Sequence, residues 1–158
     1  MKNLGVMFTN KTNDWKTPSV LYNAIMTFPY MDICPFQSKE NYLIKKWDYN
    51  VYCNPPYSDI KIWVEEIIKR FKDKSIDRCI LLVPSRTDTK WFSKILNCGY
   101  VFKLILIKGR LKFNDTGSAP FPSCIFILDQ FKVKETIDLC NYDMKQLIEY
   151  FNSYHKIP

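Results

Sequence analysis

The residues of this chain whose types and order could do chemistry are Asn54, Pro55, Pro56 and Tyr57. Two consecutive prolines fix two φ angles and remove two N–H donors. Asn54 precedes a proline and is held extended. Val51, Tyr52 and Cys53 lead into it, and their β-branched, aromatic and apolar character suits a short buried strand. A stiff peptide at a strand end then carries one amide side chain, several unpaired carbonyls and an aromatic plate, with Ser58 following. Such an acceptor cluster suits a flat ligand that carries an amino group.

The elements that must hold this peptide alternate between helix and strand. Leu21, Tyr22, Ile25, Met26 and Phe28 have helical spacing behind Pro18 and Ser19, and Pro29 ends the run. Tyr30 to Cys34 reads as a short strand stopped by Pro35. Ile60, Trp63, Val64, Ile67, Ile68 and Phe71 lie on one face of an amphipathic helix. Cys79 to Val83 is an apolar run of the parallel-sheet type, ended by Pro84. A short helix over Trp91 to Leu96, strands over Phe102 to Ile107 and Ser123 to Leu128, and a closing helix over Asp143 to Tyr154 follow. Asn114 to Pro120 has the composition of a loop.

This alternation predicts an α/β fold, an open and mostly parallel sheet with helices on both faces. Asp32, Asn54 and the Pro84-Ser85-Arg86 segment fall at carboxyl ends of strands, where such sheets place ligands. Only about twenty residues separate Asp32 from Asn54, too few for a full pair of β-α units, so this part of the sheet is abbreviated.

A length of 158 residues predicts one domain. The formal charge of +7 favours a polyanionic partner such as nucleic acid, against the plainer reading of a lysine-rich composition. Six cysteines include no C-x-x-C pair and the only histidine is His155, so zinc-ligand spacing is absent and no metal is expected. A histidine-dependent nucleophile would have to use that single residue near the end. No apolar run is long enough to span a membrane, and the first residues lack a signal-peptide core. Free thiols in apolar strands point to a reducing, cytoplasmic setting.

Asn54-Pro55-Pro56-Tyr57 resembles the (D/N/S)-P-P-(Y/F) signature of amino-group DNA methyltransferases. Asp14-Trp15-Lys16-Thr17-Pro18 resembles the W-x-T-P element of the phage-type DNA N-6-adenine methyltransferase (Dam) family. Val83 to Phe92 resembles that family's P-x-R-T-D-T-x-W segment. Gly109 to Phe113 with Ala119 to Ser123 resembles its G-R-L-x-F…A-P-F-P-S tail. These blocks occur in the family's order over roughly residues 14 to 128.

The resemblance implies an abbreviated Rossmann-like fold dependent on S-adenosylmethionine, and methyl transfer to the 6-amino group of adenine in double-stranded DNA. It implies cofactor contacts from Thr17, Pro18, Asp32 and Asn54, with Asp32 against the methionine part. Asp48 has two readings, an adenosine contact or the start of a turn with Asn50. Adenine's amine is a poor nucleophile because its lone pair is delocalised. The Asn54 side-chain oxygen and the Pro55 carbonyl can accept its N–H groups and localise that pair as preorganised electrostatics. The base must be flipped out, and Tyr57 would stack on it. Arg86, Lys90, Arg110 and Lys112 are phosphate-binding candidates, with solvated surface charge as the alternative for each.

The segment Asp32-Ile33-Cys34-Pro35-Phe36 has no glycine where most such methyltransferases carry a glycine-rich turn, a departure that the phage-type family shares. The length leaves no separate target-recognition domain, so target reading falls to loops such as 114–122 or to a second subunit, as in a homodimer. The resemblance leans to viruses, mobile elements and restriction-modification systems. Two other readings stay open: transfer to the cytosine amino group, or a non-catalytic nucleic-acid-binding domain on the same fold.

Overall fold

The computed structural model describes residues 15–113, 118–132 and 135–154. Helix α1 spans Ser19–Ile25, strand β1 Met31–Asp32, and a single 3₁₀ turn Tyr42–Ile44. Strand β2 (Asn50–Cys53), helix α2 (Ile60–Lys72), strand β3 (Arg78–Pro84) and helix α3 (Lys90–Leu96) follow. Strands β4 (Val101–Ile107), β5 (Ser123–Asp129) and β6 (Asp138–Tyr142) and helix α4 (Met144–Tyr154) complete the described elements. The six strands form one sheet in the order β1-β2-β3-β5-β4-β6.

The sheet is mostly parallel, as the alternating pattern predicts. β1, β2 and β3 pair in parallel, as do β4 and β6. β5 is the exception and runs antiparallel to both of its neighbours. Because side chains alternate across a strand, Val51, Cys53, Cys79, Leu81 and Val83 face one core together with α2 and α3. Tyr52, Ile80, Leu82, Ile125 and Ile127 face the other core together with α1 and α4. Both faces are thus covered.

Local signals account for the starts of α3 and α4. Thr89 caps α3 by accepting the Phe92 N–H at 3.3 Å. Asp143 and Gln146 form a reciprocal capping box at the start of α4, each accepting the other's N–H, at 2.9 and 3.0 Å. Two expectations need correction. α1 stops at Ile25, short of Phe28, because Met26 already caps it and Pro29 keeps the residue before it out of helical geometry. β6 was not expected from the sequence; it is an edge strand whose Leu139 is 65% exposed, so it shows no apolar run. Asp14, the 114–117 part of the loop and His155 lie outside the described residues.

Candidate active site

The carboxyl ends of β1, β2, β3 and β4 lie along one edge of the sheet, since these strands share one direction. Each brings one of the expected segments there: Asp32, Asn54, the Pro84-Ser85-Arg86 segment, and the chain from Lys108 onward. Between the start of α1 and the ends of β1 and β2 is a cavity of about 360 Å³. That volume falls in the range of small-molecule sites, about 300–1,000 Å³. Its lining includes Trp15, Thr17, Tyr22, Asp32, Phe36 and Asn54.

Asn54 follows β2 directly at the cavity wall and is buried, only 7% exposed. Its Nδ2 donates to the Trp15 carbonyl and to Thr17 Oγ1, the latter at 3.1 Å. Thr17 Oγ1 in turn lies 2.6 Å from the Tyr52 hydroxyl. The Asn54 Oδ1 is buried with no hydrogen-bond partner among the described residues. A buried acceptor left open costs about 1–3 kcal/mol, so this oxygen is a position that calls for a partner. The Pro56 carbonyl accepts the Asp59 N–H at 2.9 Å. That bond turns the chain into α2 and removes Pro56 from the free acceptors.

Asp32 is partly buried at the end of β1. Its Oδ1 accepts the Cys34 N–H at 2.9 Å and its Oδ2 accepts the Tyr22 hydroxyl at 3.1 Å. Burial pushes the Asp32 carboxyl above its ordinary range, against the lowering effect of these two bonds. Tyr22 is pushed up to about 12, by burial first and then by the Asp32 charge. The cavity therefore ends in a desolvated carboxylate whose two described partners are neutral.

Tyr57 is not an open plate. Its ring stacks on Trp15 with centroids 6.3 Å apart and meets Phe121 edge-on at 5.1 Å. Trp15 also meets Phe113 and Phe121, each at 5.5 Å. Burial raises the Tyr57 phenol far above its ordinary value. The Tyr57 hydroxyl and the Trp15 indole N–H are further buried polar atoms without described partners.

The two downstream segments build this wall by alternation. Leu111, Phe113, Ala119 and Phe121 are buried, which turns Arg110 and Lys112 out to solvent. The Ala119 N–H donates to the Leu111 carbonyl at 2.7 Å, and the Ser85 N–H to the Pro122 carbonyl at 2.9 Å. Gly109 turns the chain after β4 at φ +81°. Arg86 sits in the turn between β3 and α3, 3.6 Å from the Asp88 carboxylate, and Lys90 opens α3 in solvent.

Of the expected ligand-binding residues, the cavity is lined by Thr17, Asp32 and Asn54. Pro18 is set back as the N-cap of α1. Asp48 is not brought there. It stands exposed two residues before β2, at the amino end of the strand that Asn54 follows, with its N–H 3.3 Å from Met31 Sδ. Sequence reasoning missed the contributions of Tyr22, Tyr52, Phe113 and Phe121. Only the helical spacing of Tyr22, four residues after Pro18, hinted that it faced inward. Cys34 and Cys53 also meet here, with sulfurs 3.6 Å apart. Among the described residues there is no cluster able to hold a metal ion, and no helix long and apolar enough to cross a membrane.

Comparison with known proteins gives one finding. The family model described as DNA N-6-adenine-methyltransferase (Dam) matches residues 7–147. No curated protein and no solved structure matches the chain.

Proposed function

Because the chain belongs to the Dam family of DNA N-6-adenine-methyltransferases, we propose that its cavity binds S-adenosylmethionine and that Asn54 receives the amino group of a flipped-out adenine. The observation that carries this reading is the Asn54 Oδ1, buried and open at the cavity wall.

The lining fits the cofactor. It combines a carboxylate lacking a cation among its described partners with the rings of Trp15, Tyr22 and Phe36, and so suits a molecule that joins positive charge to a flat purine. When bound, S-adenosylmethionine supplies a methyl group on a sulfonium, an excellent leaving group. Asp32 holds the cationic end, and the ring side chains exclude water.

Asn54 Oδ1 and the Pro55 carbonyl accept the two N–H groups of the substrate amine. That draws the nitrogen lone pair out of conjugation and stabilises the positive charge that develops on nitrogen. The acceptors are fixed before the reaction, which is why they are effective. No strong base is required, since the amine proton is lost during or after transfer. A duplex base reaches these groups only when flipped out. The Tyr57 ring offers it a stacking surface, and Trp15 covers that surface in the present arrangement. Arg86, Lys90, Arg110 and Lys112, at or after the carboxyl ends of β3 and β4, hold phosphates.

The test is Asn54→Ala, assayed for methyl transfer and for retention of double-stranded DNA. Loss of one preorganised electrostatic group costs about 10²–10³ in kcat. Undiminished activity of the variant would show that Asn54 is not the acceptor.

A further inference from the structure

We infer that Thr17 and Tyr52 are positioning residues that act with the Trp15 main-chain carbonyl to hold the oxygen end of the Asn54 amide toward the substrate. The inference rests on the reading that Asn54 accepts hydrogen bonds from the substrate amine.

An asparagine amide can sit either way round in a similar volume, and its two ends differ in whether they donate or accept. For catalysis by Asn54 the carbonyl end must face the amine; the other end would present N–H to N–H. Here the partners decide. The Trp15 main-chain carbonyl can only accept, so the atom facing it must be Nδ2. The second N–H goes to Thr17 Oγ1 at 3.1 Å. With both N–H groups engaged on one side, Oδ1 is left on the other.

A threonine hydroxyl alone is an ambiguous partner, because it can rotate to donate. A Thr17 hydroxyl that donates to Tyr52 has lost that freedom. The Tyr52 hydroxyl is 2.6 Å from Thr17 Oγ1, and Tyr52 is only 1% exposed, so water does not compete. Whichever of the two oxygens donates, a lone pair of Thr17 remains for the Asn54 N–H. Burial raises the Tyr52 phenol well above its ordinary value, so it stays protonated and neutral at working pH. Tyr52 is itself held edge-on by Tyr22 at 5.9 Å. The relay ties the start of α1 to the end of β2, segments 35 and 37 residues apart. The Thr17 hydroxyl thus serves Asn54 while Thr17 also lines the cavity.

The experiment compares wild type with Thr17→Val, Thr17→Ser and Tyr52→Phe in steady-state methyl transfer to double-stranded DNA. KM for S-adenosylmethionine and thermal melting are measured in parallel. Losing one neutral hydrogen bond that orients the acceptor lowers kcat of T17V by about tenfold. That KM is expected to stay within about twofold of wild type, as fits an interaction that acts only on the chemical step. T17S, which keeps the hydroxyl, restores kcat, and Y52F lowers it at unchanged KM. If T17V does not fold, T17S and Y52F carry the comparison. A T17V protein whose KM for the cofactor rises at constant kcat overturns the inference, and so does a T17S protein as slow as T17V. An active wild type indifferent to all three changes overturns the inference alone. A wild type that methylates no DNA overturns the proposed function and the inference with it.

Discussion

Replacing Asp32 with asparagine separates charge from shape at the cofactor end of the cavity. The variant keeps an oxygen for the Cys34 N–H, now 2.9 Å from Oδ1. Tyr22, which donates to Oδ2 at 3.1 Å, can turn its hydroxyl and accept from the new amide. Only the negative charge is removed. A hydrogen bond to a charged group contributes about 1.5–3 kcal/mol, and each 1.4 kcal/mol is tenfold in affinity. Asp32→Asn should therefore weaken S-adenosylmethionine binding by about 10- to 150-fold.

The same charge costs the fold something. Burial raises the folded-state pKa of Asp32, so the native protein holds this proton more tightly than the unfolded chain does. Stability then falls as pH rises from the ordinary carboxylate range through the raised value, and the loss persists at neutral pH. D32N removes that penalty. It should melt no lower than wild type at neutral pH, and any advantage should vanish at pH values below both pKa values. Titration calorimetry with the cofactor and thermal melts across pH check both halves. Unchanged cofactor affinity, or a variant that melts several degrees lower at neutral pH, would refute the reasoning.

Two further substitutions probe other links. Asp129 is fully buried, pairs with Arg78 at 2.9 Å and accepts the N–H groups of Phe131 and Lys132 through its other oxygen. Asp129→Ala strands all three donors and should cost about 3 kcal/mol in urea unfolding, the low end for a broken buried pair because Arg78 is one-third exposed. Changing Arg110 and Lys112 together to alanine should lower the slope of log binding constant against log salt for double-stranded DNA by about two, roughly one per phosphate contact. An unaltered slope would assign both side chains to plain solvated surface.

The strand ends that build the site were legible because proline punctuates them. Pro35, Pro55 and Pro84 follow or close three strands, and the parallel pairing of those strands aligns Asp32, Asn54 and Arg86 on one edge. Helices α2 and α4 were legible because their apolar residues recur at helical spacing. Asp48 lies outside the cavity lining because it precedes β2, and nearness to Asn54 in sequence does not say which end of the strand a residue occupies. The reversed direction of β5 was not visible, since an apolar run reads the same in either orientation. β6 escaped because its edge position leaves alternate residues in water. The Thr17–Tyr52–Asn54 relay and the Trp15 cover on Tyr57 join segments more than thirty residues apart, and only tertiary packing brings them together.

The most direct test of the account is methyl transfer from radiolabelled S-adenosylmethionine to unmethylated double-stranded DNA, with nucleoside analysis of the product and the Asn54→Ala variant alongside. Label is expected in 6-methyladenine from wild type and is lost in the variant. Label in 4-methylcytosine would keep the acceptor site and contradict the base. No label in DNA that the protein still binds would contradict the catalytic reading and leave a nucleic-acid-binding domain on this fold.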